Sequence, residues 1–268
     1  LRDTSIFLAE NVRARQDCGR RDVIVREKRD VWSLIKTEAR EMANLHERRM
    51  PGESEIYRAA RNELLELERD LRARVEAVAE KRRALPVGGA ITHDYVFQEA
   101  ADDGDTERDV KLSELFAAGL DILLVYSLMF APDDELACPM CTAFLDSFDR
   151  AANQAGERIN IVVVAKAPIK KIRAWAKTRG WSNLRLLSSG TNSFNLDYFT
   201  EGADGDQWST LNVFRRTGDG IAHSYNAELS GVPNVDGSHP RHVDMMWPLW
   251  NILDLTPEGR GSDWYPSL

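Results

Sequence analysis

The chain has 268 residues, 43% of them hydrophobic and 29% charged, with a formal net charge of −8 at pH 7. That length accommodates one large domain or two modest ones with a sizeable core. The acidic balance argues against a generic nucleic-acid binder or a protein that coats anionic membranes, and three cysteines are too few for a disulfide scaffold.

The opening "LRDTSIFLAENVRARQ" has no basic start followed by an apolar stretch, although a chain that begins with Leu1 leaves a removed leader open. The segment "EKRDVWSLIKTEAREMANLHERR" places Val31, Leu34, Ile35, Met42 and Leu45 on roughly one helical face, and Pro51-Gly52 ends it. A second helix is expected from Ser54, its N-cap, to about Ala84. Tyr57, Leu64, Leu71 and Val78 recur along it every seven residues, while Arg74 and Lys81 interrupt the seam and argue against a long coiled coil. It reads as an arm packed on its own domain, with a homodimer through the N-terminal helices as the alternative. The pattern changes at Pro86, which divides a helical arm (1–85) from a domain (86–268).

Beyond Pro86, strands and helices alternate. "DYVFQ" and "VKLSELF" flank a polar loop and suggest a hairpin or short strand leading into a helical turn. "DILLVYSLMF" is apolar almost throughout, as expected of a parallel strand covered on both faces. At about ten residues it is far short of the ~20 that span a bilayer, so a cytoplasmic protein is expected. The helix "CTAFLDSFDRAANQ" follows, then the strand "INIVVVAKA" and the helix "PIKKIRAWAKTRG", with Pro168 near its start and Gly180 just past its end. "LRLLSS" is a third strand, "STLNVFRR" and "IAHSYNAEL" form a hairpin around "TGDG", and "HVDMMWPLWNILDL" closes the chain as a helix. The order predicts an α/β sandwich with a mixed sheet.

The chemistry concentrates in "ELACPMCTAFLDSF". Cys138 falls at the helix N-cap, Pro139 at the first helical position, where its missing N–H is no loss, and Cys141 one turn in. Cys138 then lies in the positive field of the helix start, which favours a thiolate, and Cys141 is near enough to attack a mixed disulfide formed there. Metal binding and inert packing are the competing readings of the pair. With "HPRH", His239 and His242, it supplies four zinc ligands in number, but the histidine spacing is one short of the usual pattern.

The strand–CxxC–helix layout looks like the thioredoxin fold. On "RRALP", "DYVF", "LSELF", "CPMCTAFLD", "VVVAKAPI", "RGWSNLRLLSS", "LNVFRR" and "WPLWNILDLTPEGRG", the chain from about Glu55 onward resembles a bacterial thioredoxin-like family of unknown function, described as predicted dithiol-disulfide oxidoreductases. The resemblance implies a thioredoxin-like three-layer sandwich with a mixed central sheet, preceded by a helical N-terminal segment. The function it implies is thiol–disulfide exchange on an unidentified disulfide-containing protein or small thiol, re-reduced by an external dithiol donor. Cys138 would attack and Cys141 resolve, with Pro139, Trp208 and Ser209 facing the substrate. Thioredoxins have a cis-proline before the strand that faces the CxxC; Ser209 stands at that place here. Asp133, Asp134 and Glu135 would oppose ionisation of Cys138.

"DYVF…KLSELF" also looks like the entry to a peroxiredoxin. Those enzymes carry Pro-x-x-x-Thr/Ser-x-x-Cys, whereas Pro132 is one residue out of place for Cys138 and Glu135 takes the hydroxyl position. A third class is a non-enzymatic thioredoxin-like binding module. Cys18 reads as an exposed lone thiol, His46 and His93 as surface, His223 as a sheet-face residue, and Tyr126 and Met129 as core. No phosphate loop, Ser-His-Asp arrangement or flavin fingerprint occurs, so no cofactor, bound metal, nucleic acid or membrane partner is expected.

Overall fold

The computed structural model describes residues 49–101, 106–228, 232, 246–259, 261 and 264–268. The predicted first helix therefore lies outside the described residues, as do Cys18, His46, His239 and His242. The chain divides into two compact units between Arg83 and Ala84.

In the first unit, α1 (Glu55–Arg83) begins where Ser54 was expected to cap it, with the Tyr57 N–H donating to Ser54 Oγ at 3.1 Å. Arg58 is buried and forks onto Glu53, its Nε donating to Oε1 at 2.7 Å. The seam residues Tyr57, Leu64, Leu71 and Val78 are exposed. Among the described residues no helix is long and apolar enough to cross a membrane.

The second unit is built on a seven-stranded sheet in the order β2-β1-β5-β4-β3-β6-β7. β1 (Val96–Ala100) and β2 (Glu107–Lys111) form the expected hairpin, and Leu112–Leu115 is the turn of 3-10 helix that follows. β3 (Ile122–Ser127), β4 (Asn160–Ala165) and β5 (Arg185–Ser188) are parallel, joined by α2 (Pro139–Ala155) and α3 (Ile169–Arg179). On the other side of β3 the hairpin β6 (Leu211–Thr217) and β7 (Gly220–Asn226) runs antiparallel. A parallel β-α-β unit flanked by an antiparallel hairpin is the thioredoxin-like arrangement. A short helix, α4 (Phe194–Asp197), was not anticipated, and α5 (Pro248–Leu253) is shorter than the last predicted helix, starting at Pro248 after the N-cap Trp247 and ending before Asp254.

The alternation of side chains along β3 and β4 creates two cores. Tyr126 and Val163 face α2, α3 and α5, packed with Phe144, Leu145, Ile172, Trp247 and Trp250. Leu123, Val125, Val162 and Val164 face the opposite way, against Phe97, Leu112, Leu115 and Phe194. Because β3-α2-β4-α3-β5 steps across the sheet in one direction, right-handed crossovers put α2 and α3 on the same face. The second outer layer is left to α4, the 3-10 turn and loops.

α3 stops at Gly180, whose φ of 73° is left-handed and whose N–H returns to Lys177 O. Beyond it, buried Asp149 of α2 accepts the Ser182 and Asn183 N–H groups at 2.9 and 2.8 Å, tying helix to loop. At the sheet edge, the entering chain lies along β7: Ile91 N–H donates to Ile221 O at 3.0 Å and His223 N–H to Gly89 O at 2.9 Å.

Phe144 is fully buried between the rings of Tyr126, Phe148 and Trp247, at centroid distances of 4.8, 5.2 and 6.3 Å. Phe144→Ala is expected to cost about 3–5 kcal/mol in denaturant unfolding of the reduced protein.

Candidate functional site

The site is made by the way the chain turns from β3 into α2. After β3, Leu128 N–H still donates to Val164 O at 2.8 Å. The loop then doubles back, and Cys138 N–H donates to Met129 O at 3.0 Å. Cys138 is therefore fixed next to the strand end when the helix starts. Its carbonyl accepts the first helical hydrogen bond, from Thr142 N–H at 2.9 Å, and Pro139 occupies the first helical position. The capping group is a sulfur: Cys138 Sγ accepts from the Cys141 N–H at 3.4 Å.

The two cysteines are free and differ in environment. Cys138 is half-buried, while Cys141 is sealed beneath it against Phe144, Leu145 and Tyr126. The Cys141 thiol donates to Cys138 Sγ, and this is the main reason Cys138 falls from its ordinary value of 9.0 to about 6. Burial opposes the shift; the Cys141 and Met140 N–H groups and the Tyr265 phenol reinforce it. The same hydrogen bond, with burial behind it, pushes Cys141 well up. One thiol is thus held as the anion and the other as the acid.

Tyr265 comes from the C-terminal segment, with its Oη 3.9 Å from Cys138 Sγ. Burial and the facing sulfur raise its own ionisation to about 12, so it stays a donor at neutral pH. Asp133, Asp134 and Glu135, expected to oppose the thiolate, are exposed, and Asp134 Oδ2 accepts the Ala131 N–H at 2.7 Å. Exposure screens their charge.

The loop before β6 stands opposite. Ser127 N–H donates to Thr210 O at 2.9 Å, so the end of β3 fixes this loop and the cysteine loop together. Trp208 is 51% exposed and lines a cavity of about 540 Å³ with Cys138, Pro139, Leu136 and Leu268. Gly202 lies against its ring: a Cβ there would come within 3.4 Å of Trp208 Cζ2. The structure thus brings Cys138, Cys141, Pro139 and Trp208 together. Ser209 is half-buried and hydrogen-bonds to the Tyr126 hydroxyl. No cis peptide occurs among the described residues.

Two contacts to the sulfurs were not anticipated from the sequence. Tyr126 reads as core, and is core, yet its hydroxyl meets Cys141; the clue was a phenol following four aliphatic residues in a buried strand. Tyr265 carries no signal, because nothing in the sequence folds the C-terminus back to Cys138. His223 is a sheet residue as expected, its Nε2 2.9 Å from Asn212 Oδ1. His93 stands beside Asp197 at 3.8 Å. Among the described residues, no three His, Cys, Asp or Glu side chains come together as a metal site.

The profile of a family described as "Bacterial protein of unknown function (DUF899)" matches residues 47–268. The chain belongs to the DUF899 family. No curated protein sequence matches it. Among solved structures it is similar to reduced Prx3 of Vibrio vulnificus in complex with hydrogen peroxide, at 15% identity and TM-score 0.41, covering 58% of this chain and 92% of that one. It is also similar to the reduced 2-Cys peroxiredoxin of Plasmodium vivax, at 19% identity and TM-score 0.41, covering 63% and 98%. A peroxiredoxin-like protein of Aquifex aeolicus matches at 16% identity and TM-score 0.37, covering 53% and 75%.

Alkylation of the reduced protein by iodoacetamide, followed against pH, is expected to give a Cys138 midpoint near the value of about 6 set by its surroundings, with Cys141 unmodified in that range. A depressed thiol is ionised above its pKa, so the rate rises through that midpoint and levels off. Cys141→Ala removes the largest cause and is expected to move the midpoint up toward 9.0.

Proposed function

We propose that this DUF899 protein is a thiol–disulfide oxidoreductase. The observation that carries the reading is the asymmetry of the pair: a half-exposed sulfur favoured as thiolate at a helix start, with a buried thiol in hydrogen-bonding contact beneath it.

Cys138 attacks one sulfur of a substrate disulfide, forming a mixed disulfide and releasing the first substrate thiolate. Cys141 then attacks Cys138 Sγ. The bond from Cys138 to substrate breaks, the second substrate thiolate leaves, and the enzyme holds the Cys138–Cys141 disulfide. An external dithiol reduces it again, and no prosthetic group is required.

Pro139, Trp208 and Leu136 form an apolar rim around the reactive sulfur. An exposed indole gives contact area at low entropic cost, so a disulfide in a polypeptide suits the cleft better than a small thiol. Ser209, in the same loop, completes the substrate-facing edge.

The test is trapping. Cys141→Ser is expected to accumulate polypeptides covalently attached through Cys138, released by dithiothreitol and absent when Cys138 is also replaced by Ser. A protein that traps nothing while a control thioredoxin does, and that consumes hydrogen peroxide in a manner lost with Cys138→Ser, would instead be a peroxidase. Trp208→Ala is expected to lower kcat/KM for a protein disulfide about tenfold, in keeping with about 1–2 kcal/mol for an exposed aromatic anchor. Turnover of a small aromatic disulfide is expected to change little.

A further inference from the structure

The end of α4 is built against the preference of its residues. Tyr198 N–H donates to Phe194 O at 3.0 Å and Thr200 N–H to Asn195 O at 2.7 Å, so the chain turns at the residue between them. That residue, Phe199, has a φ of 54°, the left-handed conformation that glycine usually supplies after a helix. Among the described residues it is the one non-glycine position with a positive φ. A Cβ is strained there, and the side chain gains little from the fold in return, since Phe199 is 78% exposed. Its neighbours are held firmly: Tyr198 packs on Phe214 at 4.9 Å and Thr200 is fully buried. Neither the strain nor the exposed phenyl helps folding. Both are accounted for if the ring meets a partner.

Phe199 stands between two cavities. It lines one of about 590 Å³ with Tyr198, His223, Asn226 and Glu228, and another of about 560 Å³ with Trp208, Thr210, Asn226 and Glu228. Trp208 in turn lines the cleft that holds Cys138. Shared walls therefore connect the reactive sulfur to Trp208 and Trp208 to Phe199, along a surface that extends beyond the reach of a small disulfide.

The lining is acidic. Asp134 and Asp206 border the cysteine cleft, and Asp197 and Glu228 border the far end. No Lys or Arg among the described residues lines any of the three cavities. Lys166 is taken by Glu201 at 2.9 Å, and Lys171 by the Pro132 carbonyl at 2.8 Å. Burial pushes the pKa of His223 down, so it adds no charge at neutral pH. The four carboxylates are exposed, and each contributes little affinity. Together they speed the approach of a cationic partner and slow an anionic one.

We propose that Phe199 and Trp208 are the two anchors of a docking surface for the polypeptide that carries the substrate disulfide, a segment with basic residues beside its cysteine. The inference rests on the exchange reaction above and specifies its substrate. With Cys138 bonded to the substrate cysteine, the flanking chain lies across Trp208 and an apolar side chain seats against Phe199. Lys or Arg groups then face Asp206 and Glu228. The strained turn holds the phenyl in place before the partner arrives, so little order is lost on binding. Phe199 thus determines specificity without touching the sulfurs.

Two synthetic peptides test this, each with one cysteine in a disulfide with 5-thio-2-nitrobenzoate. They share a leucine-containing sequence and differ in carrying lysines or glutamates beside the cysteine. Release of nitrothiobenzoate by the reduced protein reports formation of the mixed disulfide with the peptide. At low ionic strength the lysine peptide is expected to react about tenfold faster than the glutamate peptide, and about 0.5 M sodium chloride to remove most of the difference. Asp206→Asn combined with Glu228→Gln is expected to narrow the ratio about threefold. Phe199→Gly is expected to slow the lysine peptide about fivefold or more relative to Ellman's reagent, a small disulfide. Its thermal midpoint is expected to hold or rise, because glycine relieves the left-handed turn. An unchanged ratio of peptide to Ellman's reagent in Phe199→Gly overturns the docking surface and leaves the exchange reaction standing. A lower thermal midpoint with equal loss of rate toward both substrates assigns the ring to the fold and likewise overturns it. Equal rates for the two peptides at low salt overturn the basic partner. No release from the peptides or from Ellman's reagent overturns docking and exchange together.

Discussion

The ionisation of the site depends above all on one hydrogen bond, from the Cys141 thiol to Cys138 Sγ. Seen from Cys138 it supplies a donor that stabilises the anion; seen from Cys141 it is a reason not to ionise. Two chemically identical side chains thereby acquire opposite tendencies to ionise. A thiolate stabilised in the reduced form would also make a disulfide between the two cysteines easier to reduce. Backbone geometry enforces the contact. Cys138 is pinned to Met129, helix formation begins at its carbonyl, and a residue three places on in the first turn has its side chain directed back toward the helix start.

The pair sits at the carboxyl end of β3, where α/β sheets present their ligand sites because loops there converge while the strands below are fixed by their neighbours. β3 is paired on both sides, to β4 and β6. Its end holds the loop that carries Cys138 and, through Ser127 and Thr210, the loop that carries Trp208. The cleft is thus defined by a rigid strand rather than by contacts between two loops. Beneath it, the aromatic packing of Phe144, Phe148 and Trp247 keeps α2 from shifting the sulfurs.

Much of this was legible in the residues. Proline at the first helical turn and a cysteine before it located the start of α2, because that position has an unneeded N–H and requires a capping acceptor. The continuous apolar runs at β3 and β4 marked strands buried on both faces, and Gly180 marked the end of α3. The sequence was less informative where the outcome depends on distant parts of the chain meeting. α4, of four residues, is too short for a helical period to register. Tyr265 reaches Cys138 across 127 positions. Tyr126 was placed correctly in the core, but burial says nothing about which sulfur its hydroxyl will meet. The acidic loop shows the opposite failure. Three carboxylates next to the cysteine in sequence suggest a strong field, yet they point outward, and proximity along the chain is not proximity in a medium that transmits charge.

The segment that leads into the second unit has a further consequence. A seven-stranded sheet has two edges whose unpaired backbone groups invite other chains to add a strand. At β2 the exposed residues Glu107, Arg108, Asp109 and Lys111 crowd that edge with charge. At β7 the incoming chain lies along the margin through Gly89 and Ile91, and the fit is close enough that a Cβ on Gly88 would come within 2.2 Å of His223 O. The absence of a side chain at one position therefore guards the molecule against fibril-like self-association: the lead-in seals the open border, and any bulkier residue would lift the seal.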